Sequence, residues 1–271
     1  MDGKKRLYFK IQKYYWRLKD FSPINYLQRT KDNIFISIYL YKIFGRKYSK
    51  FRFYSQQNED KHLLKNFKIE NVKNGTYLEV GAYDGVYFSN TLFLQNEFKF
   101  SGILIEPQKD LYEKLIKNRP SDFVVNSAIS NSVQDKVEFI GDNLEAGIRS
   151  NIRTNLEKFP LWKSYKVDNV KMAKIIDKSG FKYIDVMFID TEGSELEVIK
   201  SIDFSFPISI IIVEANEINS QEDQLMFQIL EENGFKFYFQ IRGNYWFYNQ
   251  NNDRKYGIEF RKKISFQKEK K

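Results

Sequence analysis

The 271-residue sequence predicts an α/β fold: a mainly parallel seven-stranded sheet with helices on both faces, closed by a C-terminal antiparallel hairpin. Three observations predict it. Short runs rich in Val, Ile and Phe alternate with helix-patterned segments from about residue 55 to residue 248. Four of the buried runs end in a carboxylate or run into one: Glu79, Glu106, Asp190 and Glu214. The last two runs, 235–241 and 245–248, are separated only by Arg242-Gly243-Asn244, a hairpin-type turn.

The elements follow in order. Residues 55–67 read as a helix with Leu63, Leu64 and Phe67 on one side, and 76–80 as a short strand ending at Gly81. Ser89 suits the N-cap of a helix carrying Leu92, Phe93 and Leu94. Residues 102–105 form the next buried strand. Pro107 then fits a first helical turn, and Leu111, Tyr112, Leu115 and Ile116 line a helix that stops near Arg119-Pro120. Residues 123–125 make a third strand. Between 132 and 170 the pattern is less regular, with an extra strand at 137–140 and an inserted loop region at 141–162. Regularity returns with a helix around Met172, Ile175 and Ile176, a buried strand at 186–189, a helix at 194–202 and the most apolar strand at 208–213. A helix over 220–232, ended by Asn233-Gly234, leads into the hairpin.

Composition removes several classes of protein. Apolar side chains make up 42% and aromatics 17%, which excludes disorder as the main state. There is no cysteine, so a disulfide scaffold, a thiol nucleophile and a zinc-thiolate site are excluded, and a single histidine excludes multi-histidine metal sites. The apolar run at 34–44 contains Ser37 and Lys42 and is much shorter than the ~20 residues of a membrane span. With no signal-peptide pattern at the start, a cytoplasmic protein is expected.

Charge divides the chain into three parts. Residues 1–52 hold 14 Lys/Arg against 3 Asp/Glu, residues 254–271 hold 8 against 2, and residues 53–253 hold 22 against 30. A basic, aromatic-rich N-terminal helical extension (1–52), a central domain (53–253) and a basic C-terminal tail (254–271) are therefore expected. An acidic body argues against a nucleic-acid groove, which needs clustered Lys/Arg. The first segment has helix-face spacing at Leu7, Ile11, Tyr15 and Leu18, with Lys10, Lys13 and Arg17 toward the other side. It either packs on the domain or makes peripheral contact with an anionic membrane.

In an open α/β sheet, ligands bind beyond the carboxyl ends of the strands. Glu79 is followed there by Gly81-Ala82-Tyr83-Asp84-Gly85. Glycine admits left-handed backbone and close approach of a ligand. A dinucleotide fingerprint starting at Gly81 requires glycine at 83 and 86, where Tyr83 and Val86 stand, so a diphosphate is poorly cradled. The acids Glu79 and Asp84 suit a sulfonium or ammonium ligand better; the alternative is a tight turn without a ligand. Glu106, 25 residues after Gly81, stands where an acid accepts ribose hydroxyls, or is a surface carboxylate before a proline helix start.

Asp190-Thr191-Glu192-Gly193-Ser194-Glu195 is the second dense motif. Asp190 follows a buried strand and emerges at the sheet edge, Ser194 suits a helix cap, and Glu195 and Glu197 suit a helix start. Asp190, with Glu214 at the next strand end, is the catalytic candidate: a carboxylate able to remove an acceptor's proton. No metal ligands are assigned; a divalent cation at Asp190 or Glu214 is the unexpected alternative. His62, beside Leu63 and Leu64, reads as structural or exposed. Arg149, Arg153 and Lys163 read as a solvated loop, and Trp162, Trp246 and Tyr248 as core or rim, with sugar stacking as the other option.

In combination these residues resemble the FkbM family of S-adenosylmethionine-dependent methyltransferases. The resemblance runs from about Tyr54 to Tyr248 through Ser55-Gln56 with Glu59-Asp60, residues 78–85, Ser89-Asn90-Thr91, residues 102–107, Asn118-Arg119-Pro120, residues 126–129 and residues 189–195. It implies a Rossmann-like class I methyltransferase fold and transfer of a methyl group to oxygen, often a sugar hydroxyl of a glycan or glycolipid. It assigns Glu79, Gly81, Ala82, Asp84 and Gly85 to the methionine portion of the cofactor, Glu106 with Pro107 to ribose, and Asn126, Ser127 and Ala128 near adenine. Many relatives have Asp where Glu79 stands. Two other readings stay open: a nicotinamide-dependent sugar-modifying enzyme, and an inactive methyltransferase-like module that recruits partners at membranes.

Overall fold

The computed structural model describes residues 51–141, 146–151, 162, 164–214, 220–241, 243–251 and 258–260. The basic helix expected around residues 7–18 lies outside them, as do Arg153, Lys163 and residues 261–271. The chain divides into two units, Met1–Tyr54 and Ser55–Lys271; the second carries the elements that follow.

Helix α1 (Glu59–Asn66) has acids in its first turn and Lys65 in its last, each matched to the helix dipole. Strand β1 (Thr76–Val80) is buried along its whole length. Helix α2 (Leu92–Phe98) is followed by β2 (Ser101–Ile105), α3 (Lys109–Asn118) and β3 (Phe123–Val125). Four further strands come next: β4 (Ala128–Ile129), β5 (Lys136–Ile140), β6 (Gly147–Ile148) and β7 (Ser164–Val170). Helix α4 (Met172–Ser179) then leads into β8 (Ile184–Ile189), α5 (Glu195–Lys200) and β9 (Ile208–Glu214). The series ends with α6 (Gln221–Glu232), β10 (Phe235–Ile241) and β11 (Asn244–Asn249).

The main sheet has the order β10-β11-β9-β8-β1-β2-β3. All neighbours run parallel except β11, which is antiparallel to both β9 and β10. β8 and β9 are buried almost throughout and carry the apolar runs 186–189 and 210–213, as suits strands covered on both faces. One core cluster joins Leu78, Ile103, Met187 and Ile211 of the sheet to Ile175, Val198 and Leu230 of α4, α5 and α6. Register brings the carboxyl ends into line: Val80 pairs with both Ile105 and Ile189, and Ile189 with Val213. Glu106, Asp190 and Glu214 are the residues that directly follow or end these paired positions.

A second sheet, β4-β7-β5-β6, was not anticipated beyond the strand at 137–140. It has its own small core of Ala128, Val137, Phe139, Ala146, Ile148 and Val167. The cap expected at Ser194 also differs. No side-chain bond from Ser194 caps α5, and its hydroxyl accepts from Asn151 Nδ2 at 3.1 Å. Ser220 does cap α6, accepting from the Asp223 amide at 3.0 Å. Trp246 is a core residue and not a stacking platform, since it is fully buried and stacks on Phe239 and Phe67. Among the described residues no helix is long and apolar enough to cross a membrane.

Candidate active site

The turn after β1 is built from backbone bonds to its neighbours. The amides of Gly81 and Ala82 both donate to the Ile105 carbonyl at 3.0 Å, and the Asp190 amide donates to Val80 at 3.1 Å. Gly81 has φ 84°, a conformation that favours glycine. Three residues with side chains also adopt left-handed backbone at this edge: Tyr83 (φ 53°), Phe88 (φ 56°) and Glu192 (φ 54°). Such conformations are costly and persist only where surrounding structure fixes them.

Between the turn and the ends of β8 and β9 lies a narrow cleft. Four carboxylates line it: Glu59, Glu79, Asp190 and Glu214. Gly81, Ala82, Tyr87, Phe88 and Asn244 complete most of its wall, and its described lining contains no lysine or arginine. Gln57 Oε1, a buried acceptor in the same lining, has no hydrogen-bond partner.

Each acid is held differently. Glu79 is 2% exposed and receives Thr91 Oγ1 at 2.6 Å, the Asn90 amide at 2.8 Å and Ser89 Oγ at 3.3 Å. Burial raises its pKa, while these bonds and the Arg119 charge pull it back. Glu59 accepts Asn244 Nδ2 at 2.8 Å and the Gln57 amide at 2.9 Å. Burial pushes its carboxyl up to about 7 against hydrogen bonds from its own amide, the Gln57 amide and Ser55, and Asp60 beside it adds to the rise.

Asp190 is raised well above the usual carboxylate range, by burial first and then by the negative charges of Glu214, Glu195 and Glu59. Two neighbouring carboxyls oppose each other's ionisation. Oxygens of Asp190, Glu192 and Glu214 come within 4.8 Å of one another, making these three the described set able to hold a cation.

The structure brings Glu79, Gly81, Ala82, Asp190 and Glu214 together in this cleft; other expected residues stand beside it. Glu106 lies outside the lining and is 3% exposed. Its two oxygens accept the Tyr83 amide at 3.0 Å and the Gln108 amide at 2.7 Å. Burial lifts its carboxyl to about 7, and those two amides draw it back. Asp84 turns inward and accepts the amides of Val86 (2.9 Å) and Tyr87 (2.7 Å). Gly85 leaves room for the Arg119 stem: a β-carbon there would fall within 2.7 Å of Arg119 Cγ.

Asn126 Nδ2 donates to the carbonyls of Glu106 and Pro107 at 2.8 and 3.0 Å, so it braces the β2 end. Ser127 is 1% exposed and donates to the Ala128 and Asp168 carbonyls, and Ala128 lies in β4. Both are committed to joining the two sheets. Sequence reasoning missed Gln57, Glu59 and Asn244 as cleft residues. Glu59 was visible only as an acid at a helix start and within the family resemblance, and no local signal marks Gln57 or Asn244.

A parallel sheet in this order, with one reversed strand beside the edge and a glycine turn after its first strand, defines the Rossmann-like class I methyltransferase fold. Residues 79–237 match the methyltransferase FkbM domain, more than half of the chain, and the chain belongs to that family. None of the curated proteins compared with it is significantly similar.

Among solved structures, the fibrillarin pre-rRNA processing protein of Methanococcus jannaschii is 14% identical, with a TM-score of 0.37, covering 69% of this chain and 72% of that one. Aeropyrum pernix fibrillarin with natively bound S-adenosyl-L-methionine is 11% identical, with a TM-score of 0.37, over 66% and 67%. The precorrin-6y C5,15-methyltransferase of Geobacter metallireducens is 11% identical, with a TM-score of 0.40, over 76% and 95%. The family assignment rests on the sequence match.

Proposed function

We propose that the chain is an S-adenosylmethionine-dependent O-methyltransferase acting on a sugar hydroxyl of a glycan or glycolipid. The observation that carries this reading is the cleft: four carboxylates at the sheet edge beside a glycine turn, with no described basic residue in the wall. Such a lining favours a sulfonium and ammonium ligand and disfavours a diphosphate. Gln57 Oε1 adds a buried acceptor that lacks a donor, which suits a ligand N–H or O–H. Glu79, Gly81, Ala82, Asp84 and Gly85 would surround the methionine end, Glu106 and Pro107 the ribose, and Asn126 the adenine side, with the buried Ser127 and Ala128 behind it. Glu106 retains lone pairs for ribose hydroxyls beyond its two amide bonds.

S-adenosylmethionine, when bound, supplies the methyl group and departs as S-adenosylhomocysteine. The chain's own residues align the acceptor and take its proton. Because Asp190 and Glu214 stand together and raise each other's proton affinity, the accepting role belongs to the pair and not to Asp190 alone. Glu59, with a carboxyl near 7, adjoins it as a further proton store. Tyr87 and Phe88, with ring centres 4.0 Å apart, offer the apolar face on which a sugar ring can stack.

Isothermal titration with S-adenosylhomocysteine tests the core of this reading: a saturable heat is expected, and no heat together with no thermal stabilisation would sink it. Mass spectrometry of neutral glycans and glycolipids incubated with cofactor then tests the acceptor class. For residues 1–52 the proposed role is peripheral contact with an anionic membrane from the cytoplasmic side, supported by their charge excess. Loss of binding to phosphatidylserine vesicles on truncation is the expected result.

A further inference from the structure

We infer that Asn118 and Arg119, at the end of α3, form the rear half of the turn after β1, with Arg119 a positioning residue for the cofactor. This rests on reading that turn as the S-adenosylmethionine cradle. Neither residue lines the cleft. In the sequence, Arg119 is the cation at which a helix stops before Pro120, and it is part of the family resemblance with no role attached.

Arg119 is wholly buried, a place where a guanidinium is tolerated only if its donors and charge are matched. Nη1 donates to the Gly85 carbonyl at 3.1 Å and to Ser89 Oγ at 3.3 Å. Nη2 donates to the Tyr77 hydroxyl at 2.6 Å and to Thr91 Oγ1 at 3.2 Å. Nε forms an ion pair with Asp122 Oδ2 at 2.9 Å without being aligned for a hydrogen bond. Its carbon stem fills the space beside Gly85 that a β-carbon would need.

Two features tie this network to the site. Ser89 and Thr91, both held by Arg119, are the hydroxyls that donate to Glu79. The preceding residue, Asn118, donates from Nδ2 to the Asp84 carbonyl at 2.8 Å. Asn118, the last residue of α3, and Arg119, which follows it, thus grip consecutive carbonyls of the turn, 84 and 85, from behind the cleft wall. A buried ion pair adds little net stability over apolar packing of the same volume. What Arg119 adds is geometry: it fixes a turn whose Tyr83 sits at φ 53° and orients the hydroxyls around Glu79.

The test is the affinity of the full chain for S-adenosylhomocysteine, with the ligand-free unfolding midpoint measured for every variant. Arg119→Lys keeps a cation near Asp122 but cannot span the turn, Ser89 and Thr91 together. Its dissociation constant should rise by about tenfold or more, and that of Asn118→Ala by roughly threefold or more. Ile176→Val, a core change on α4, should stay within about twofold of wild type at a comparable loss of thermal stability.

Variants that bind like wild type would overturn the inference. So would a loss of affinity in Ile176→Val that matches the loss in the turn variants, because the role would then be structural only. If Arg119→Lys does not fold, Asn118→Ala decides. Absence of binding by the wild type would instead overturn the reading of the turn and this inference with it.

Discussion

Gly81 and Asp190 meet backbone to backbone: the position a β-carbon on Gly81 would take is filled by the Asp190 carbonyl oxygen. The contact joins the end of β1 to the end of β8, and the Asp190 amide donates to Val80 one residue away. Gly81 is therefore required by protein packing before any ligand is considered. Its left-handed φ of 84° adds a second reason for glycine.

Gly81→Ala should destabilise the protein by about 2 kcal/mol or more, from a backbone clash added to left-handed strain. Urea unfolding measures this. A variant of wild-type stability would mean that the β1 and β8 ends lie further apart than described.

Asp190→Asn should lower turnover by roughly a hundredfold or more while leaving S-adenosylhomocysteine affinity within about threefold of wild type. The reason is that the proposed mechanism gives the acceptor's proton to Asp190 and Glu214. Equal losses of binding and turnover would place Asp190 in cofactor recognition instead.

Glu106→Ala should act the other way, weakening cofactor binding by about tenfold. It removes the proposed ribose acceptor and also releases the Tyr83 and Gln108 amides. Calorimetry of the two variants side by side separates the roles, and unchanged affinity in Glu106→Ala would remove Glu106 from the cofactor site.

Stability should fall as pH rises between about 4.5 and 7. Glu59 and Glu106 both have folded-state pKa values raised by burial to about 7, from 4.5 unperturbed. Their contribution is fully present below the unfolded value and is lost as pH climbs through the folded one, by up to roughly 3 kcal/mol each. Chemical denaturation from pH 4 to 8 checks the slope. Glu59→Gln and Glu106→Gln should each flatten it, and an unchanged slope in both would show that these carboxyls do not titrate near neutrality.

The order of the main-sheet elements was legible because each carries its own local period. β8 and β9 carry the apolar runs 186–189 and 210–213, and α6 follows a serine that caps it. The second sheet was not legible. β4 and β6 are two residues each, and β7 reads Ser-Tyr-Lys-Val-Asp-Asn-Val, with few apolar positions to signal a strand. The strand exists because Val167 and its neighbours find Val137, Phe139 and Ile148 across a gap in sequence.

By itself, the sequence determined which carboxylates stand at the ends of which strands, because strand length and the glycine after β1 are local properties. Only the tertiary structure decided how those carboxylates are used. Glu79 is bound by Ser89, Asn90 and Thr91, Glu106 is folded under Tyr83, and Glu59 is drawn into the cleft by Asn244, 185 positions away. The physical reason is desolvation: a buried carboxyl's charge and partners depend on every group packed around it, and those groups come together only when distant segments meet.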